Sequence, residues 1–207
     1  MLKFFKTAVT IIFLLIHGAL LCQSSTDRGR KEIGNVGILT GLHQPLVLGG
    51  GNFAINYVTI SNLSLEASFG ISLDYANILS DPDTEGFQSV TTPFSYGFGV
   101  GYFYKGFSVN LEPKGTMFHV EDYVNQEVRY TTWSLGLGVY YNVFVWEGLF
   151  FQPSVRYWQK VGSTLSGGEV MMTDNSGILF THVARKPGSN GWIYGVSLGW
   201  FFQNRKN

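Results

Sequence analysis

The sequence predicts an all-β protein, an eight-stranded antiparallel up-and-down transmembrane β-barrel behind an N-terminal signal peptide. Three observations predict it. After residue 22 the chain alternates apolar with small or polar residues at a period of two, in segments about eleven residues long. Tight and long links alternate between those segments. The composition is 16% aromatic and 14% charged, with 26 Gly in 207 residues, whereas soluble domains carry roughly 25% charged residues and about 7% Gly.

The first 22 residues read as a signal peptide. Lys3 and Lys6 precede an apolar run from Ala8 to Cys22, AVTIIFLLIHGALLC, which has about the length of a signal-peptide core and is short for a spanning helix of roughly 20 residues. Residues 23–31 follow as a polar N-terminal segment, 32–202 as the barrel and 203–207 as a tail. Removing Lys3 and Lys6 leaves twelve basic against fourteen acidic side chains. That balance offers no basic surface to nucleic acid. Cys22 is the one cysteine of the chain, which excludes an internal disulfide and a cysteine-based zinc site.

Strands are expected near 33–42, 52–60, 63–75, 94–104, 107–118, 129–145, 149–161 and 191–202. The clearest is LSLEASFGISLDY, where Leu63, Leu65, Ala67, Phe69, Ile71, Leu73 and Tyr75 form one face. Ser64, Glu66, Ser68, Gly70, Ser72 and Asp74 form the other. The segments 94–104, 133–143 and 192–202 set aromatic and aliphatic residues against Gly- and Ser-rich faces in the same way. Membrane strands need 9–11 residues, while ordinary strands average five or six. Ser61-Asn62, Lys105-Gly106 and Glu147-Gly148 supply tight turns, and 43–51, 76–93, 119–128 and 162–190 supply long links. An even strand number with short turns at one rim and long loops at the other describes a bacterial outer-membrane barrel.

Sidedness separates this reading from a secreted small-ligand-binding barrel, which would hold its apolar face inside. Gly and Ser suit the narrow interior of eight strands, and the aromatic faces suit lipid. Trp133 and Trp192 at loop-side strand ends and Trp146 and Trp200 at the turn side form a candidate aromatic belt. The eight steps from Trp192 to Trp200, at about 3.3 Å each and a 40° tilt, give roughly 20 Å of height against a lipid band of about 25 Å. The signal peptide, the eight amphipathic strands and the aromatic last strand resemble the small OmpA/OmpX-like outer-membrane barrels of Gram-negative bacteria. The LLCQSS junction is similar to that of exported Bacteroidetes proteins. The resemblance implies localisation in the outer membrane and no catalytic site. The chain departs from the family in carrying residues 203–207 after the terminal aromatic Phe202.

The inward faces carry Glu66, Asp74, Glu112, Lys114, Arg156 and Lys160, expected to form a luminal charge network of paired ions, since unpaired buried charges are costly. No catalytic constellation, metal site or cofactor is expected. His43, His119 and His182 are isolated, and no GxSxG, HExxH or GxxxxGK[ST] occurs. FGVGYF and SLGLGVY continue as strands without a following helix, so nucleotide binding is not expected. A lipid-modifying enzyme remains the catalytic alternative.

The longest link, 162–190, has a strand-like middle. Glu169-Val170-Met171-Met172 and Ile178 to Val183 flank Thr173-Asp174-Asn175-Ser176-Gly177, a turn sequence. A hairpin beyond the membrane is expected here, too short to add two barrel strands. Met171, Met172, Leu179 and Phe180 would give it an exposed edge for another envelope protein. The expected partners are therefore outer-membrane lipid and such a protein.

Overall fold

In a computed structural model, which describes residues 36–42, 45, 49–59, 61–74, 88–146, 148–183 and 191–202, alternating sequence becomes a closed antiparallel barrel. The strands are β1 (Val36–Gly41), β2 (Gly51–Val58), β3 (Leu63–Asp74), β4 (Ser89–Tyr104), β5 (Phe107–Glu121), β6 (Glu127–Tyr141), β7 (Val143–Trp146), β8 (Leu149–Ser163), β9 (Glu169–Thr173), β10 (Leu179–Val183) and β11 (Gly191–Phe202). From β1 to β6 each strand pairs with the next, β6 and β7 both pair with β8, and β11 returns to pair with both β8 and β1. Val36 lies opposite Phe202 at the seam, so the first and last described residues meet at the rim that carries the tight turns. Residues 1–35 and 203–207, including the expected signal peptide, lie outside the described residues.

The tight turns form where expected. Lys105 and Gly106 both have positive φ, 48° and 87°, the conformation that matches the right-handed strand twist in a two-residue hairpin. Asn62 (φ 64°) and Gly148 (φ 105°) serve the other two. The expected strand 129–145 is divided at Asn142 into β6 and β7, both of which pair with β8.

The long strands depart from the expected eleven residues. β4, β5, β6 and β8 run to 15 or 16 residues. The expected loop 119–128 is correspondingly reduced to 122–126, and His119 sits on β5 opposite Arg129.

The reason lies in a polarity inversion along one strand. From Phe107 to Met117 the outward residues of β5 are mostly apolar, and the inward Ser108, Asn110, Glu112 and Thr116 are buried and polar. Beyond Thr116 the inward residues are Phe118 and Val120, while outward stand His119 and Glu121. β6 does the same, with Tyr130 inward and Glu127 and Arg129 outward above Thr132. The lower part has its apolar face outside and the upper part has it inside. A strand that leaves lipid for water must invert in this way, because water rewards apolar burial toward the axis.

Candidate functional site

Four layers follow from this arrangement: an outer girdle, a turn-side plug, a polar centre and a loop-side cap. The girdle consists of exposed apolar side chains on every barrel wall, including Ile38, Ile55, Phe69, Phe98, Leu111, Leu137, Val155 and Tyr194. Of the expected belt, Trp146 meets Trp200 edge to face at the turn side, with centroids 6.4 Å apart. Toward the loop side, Trp192 packs edge-on against Tyr157 at 5.1 Å and Trp133 against Tyr96 at 5.7 Å. Tyr96 also lies across Gly115, where a Cβ would stand 2.6 Å from its Cζ. An aromatic ring laid over a strand glycine covers backbone that glycine leaves bare.

The plug was not foreseen. Leu39, Val58, Phe103, Phe150 and Phe201 point inward at the turn side and form one buried apolar cluster. Phe150 and Phe201 stack at 4.9 Å, and Phe144 packs on both. Glycines make the room, since a Cβ on Gly37 would lie 2.8 Å from the Phe201 ring. The sequence signal was present in Phe103 and Phe201, the bulky members of otherwise small inward faces.

Above the plug, Glu66, Glu112, Lys114 and Arg156 line a shared space with Ser68 and Trp158. Glu66, Glu112, Lys114 and Arg156 are therefore brought together, with Arg156 in electrostatic reach of both carboxylates. The carboxylates take neutral donors: Tyr140 Oη donates to Glu112 Oε1, and Asn56 Nδ2 donates to Glu66 Oε2 at 3.5 Å. The Lys114 ammonium lies over the Trp158 ring, 5.2 Å from its centroid, a cation–π arrangement. At the loop rim Glu127 Oε2 forms an ion pair with Arg129 Nη2 at 3.3 Å and lies 3.2 Å from His119 Nε2. Lys160 lies toward that rim, opposite Ser134, and the side chain of Asp74 is outside the described residues. Tyr140, Asn56 and Trp158 are the members of this centre that sequence reading missed. Each shares the inward parity of its strand.

Small residues again decide what fits. A Cβ on Gly138 would lie 2.5 Å from Glu112 Oε1, and one on Gly136 would lie 2.8 Å from Trp158 Cε3. Among the described residues, space remains in a cavity of about 60 Å³ beside Arg156, Glu66 and Gln152 and in another of about 30 Å³ beside Lys114 and Glu112. Pockets for small-molecule ligands run to about 300–1,000 Å³, so these hold water-sized occupants.

The cap is the hairpin expected in the link 162–190. β9 and β10 form a two-stranded sheet of their own, separate from the barrel sheet. The expected exposed edge is corrected here. Met172 is fully buried, and Phe180 packs beside it against Val90, Phe118, Val120 and Tyr130, the inward residues of the β4–β6 extensions. Met171 and Leu179, on the opposite face, are 50% and 65% exposed. Alternation explains the split, because residues two apart share a face and each strand of the hairpin has one face toward the barrel.

Asp122, fully buried in the β5–β6 turn, ties the hairpin down. Its Oδ1 accepts the backbone N–H of Val124 at 3.0 Å and of Gln126 at 2.8 Å, and its Oδ2 accepts that of Thr173 at 2.8 Å. Burial pushes this carboxyl up, but the three N–H donors outweigh it and hold the group below the usual carboxylate range. Tyr123 N–H also donates to Thr173 O at 3.3 Å, and Tyr130 Oη lies 2.9 Å from His182 Nε2.

No protein-family model matches the chain, and no curated protein matches it in sequence. Among solved structures it is similar to the crystal structure of a major outer membrane protein from Thermus thermophilus, with 13% identity and a TM-score of 0.46, over 81% of this chain and 98% of that one. At that level of similarity nothing about the function of this chain follows from it.

Proposed function

We propose that this chain is an integral outer-membrane β-barrel of the small OmpA/OmpX-like kind, reaching the membrane of a Gram-negative, Bacteroidetes-type cell by signal-peptide export. Its role is non-enzymatic, as a surface scaffold or accessory subunit of an envelope complex. The observation that carries the membrane reading is the polarity inversion. A closed barrel with apolar and aromatic walls outside, polar side chains inside and aromatic rows near both ends fits hydrocarbon and leaves no backbone edge exposed to it. In water the same girdle would be a far larger apolar surface than soluble monomers expose.

The non-enzymatic role is supported by the placement of Glu66, Glu112, Lys114 and Arg156, which lie between an apolar plug and an apolar cap. The accessory role is supported by Met171, Ile178, Leu179 and Val124, which stand exposed on the loop side near the two turns that Asp122 ties together. Cell fractionation with gel mobility before and after boiling tests the membrane reading. The protein is expected in the outer-membrane fraction with a band that shifts on heating. Recovery as a soluble periplasmic protein, or a band indifferent to boiling, refutes it.

A further inference from the structure

Among the described residues, the two ends of the lumen carry different constructions. At the turn side, every plug residue belongs to a barrel strand: Leu39 to β1, Val58 to β2, Phe103 to β4, Phe150 to β8 and Phe201 to β11. Moving that plug would require breaking the barrel ladder. At the loop side, the closing residues Val170, Met172 and Phe180 belong to a hairpin that shares no sheet with the barrel. It is held by side-chain packing, by the Asp122 carboxylate, by the Tyr123 N–H donated to Thr173 O and by the Tyr130–His182 contact.

Glycines in the left-handed conformation flank the hairpin. Gly167 and Gly168 precede β9 with φ of 68° and 75°, and Gly191 begins β11 with φ of 110°. A Cβ at any of the three would meet nothing within 4 Å, so backbone freedom, not packing, is what these glycines provide. Elements that move in proteins are drawn from segments with few ladder hydrogen bonds to the rest of the fold.

Directly beneath the hairpin lie three fully buried threonines on the inward face: Thr92 of β4, Thr116 of β5 and Thr132 of β6. Thr116 and Thr132 are cross-strand partners. None of the three hydroxyls finds a partner among protein groups, and neither do Trp158 Nε1, Arg156 Nε or Asn110 Oδ1 deeper in the lumen, nor Asn56 Oδ1 and Ser64 Oγ nearer the plug. Buried polar groups without protein partners are normally satisfied by water. Eight such groups between two apolar layers describe a wet compartment.

We propose that the β9–β10 hairpin is a latched lid over a blind, hydrated chamber, which holds water-sized occupants when latched and, on opening toward the loop rim alone, admits small polar solutes. The chamber is a dead end, because the plug beneath it is part of the barrel wall. Asp122 is the latch, since its Oδ2 holds the lid while its Oδ1 holds the β5–β6 turn that the lid rests on.

Thiol labelling tests this in the full-length protein carrying Cys22→Ala, folded in detergent, with heat-shifted mobility as the check on folding. Thr132→Cys reports the chamber, and Ser64→Cys, near the turn side on β3, reports the far end. The probe is trimethylammonium-ethyl methanethiosulfonate. Thr132→Cys is expected to react slowly with the latch intact and at least about tenfold faster with Asp122→Ala, while Ser64→Cys stays protected in both. Replacing residues 169–183 with a Gly-Ser linker should give the fast rate without any latch variant, and it serves where Asp122→Ala fails to fold. Equal Thr132→Cys rates with and without the hairpin overturn the lid. Exposure of Ser64→Cys together with Thr132→Cys in a folded barrel overturns the blind chamber.

Discussion

Phe150 and Gly199 form the most exacting contact in the plug, and their substitution tests whether the turn-side closure has the geometry described. Phe150 is fully buried, stacks on Phe201 at 4.9 Å and packs on Phe144 at 5.5 Å. Gly199 lies against its ring: a Cβ there would clash with Cζ and stand 2.8 and 2.9 Å from Cε1 and Cε2. Phe150→Ala removes a buried ring and two aromatic contacts, a loss of about 3–5 kcal/mol. Gly199→Ala pushes a methyl group into an occupied site at a cost of about 1–3 kcal/mol. The two together should cost less than their sum by about 1–3 kcal/mol, because the methyl then occupies space the ring has left. Urea unfolding in lipid vesicles, followed by tryptophan fluorescence, gives all three values. Strict additivity would refute the ring-over-glycine contact, and with it the plug as a close-packed layer.

Three further predictions follow from the other layers. Tyr140→Phe should destabilise the barrel by about 1–3 kcal/mol by removing the donor to buried Glu112, and Glu112→Gln should cost less because its amide oxygen still accepts from Tyr140; the reverse order in urea midpoints would reject the neutral pairing. Leu135→Arg, on the outer face of β6 and 42% exposed, should impair insertion by about 2–4 kcal/mol if it lies near the midplane; wild-type insertion into vesicles would show the assigned faces to be inverted. Acid should loosen the cap before the barrel. The folded-state carboxyl of Asp122 is depressed, so its contribution is fully present above the ordinary value of 3.8 and is lost as pH falls below it. Backbone amide exchange at Thr173 should therefore be slow at pH 5 and accelerate below about pH 3.8, after correction for intrinsic exchange; pH-independent protection would remove Asp122 as the latch.

Much of the barrel was legible in the alternation alone. Ser64, Glu66 and Ser68 against Leu63, Leu65 and Ala67 fixes which face of β3 is which, because a one-residue slip would turn the whole apolar set around. The tight turns were legible for a local reason: Lys105-Gly106 and the Gly of Glu147-Gly148 mark positions where positive φ is needed. The strand ends were not legible. Phe118, Val120 and Tyr130 continue the period without a break, and only the identity of the apolar face changes, so a reading that follows one face ends the strand where the chain leaves the bilayer.

The sequence by itself determined the strand class, the barrel order, the inward parity of Glu66, Glu112, Lys114 and Arg156 and the existence of the 169–183 hairpin, because period, turn chemistry and length are local properties of a chain. Tertiary structure decided which of those residues meet. Glu112 accepts from Tyr140 and also lies within electrostatic reach of Arg156, residues of two other strands that only barrel closure brings to it. Met172 is buried and Met171 exposed, although they are adjacent, because the hairpin folds onto Phe118 and Tyr130 instead of standing clear. Asp122, one polar residue in a turn by sequence, becomes the tie between two distant segments only when Thr173 arrives beside it. Contacts between residues some fifty positions apart are set by packing and stagger, and no local pattern encodes them.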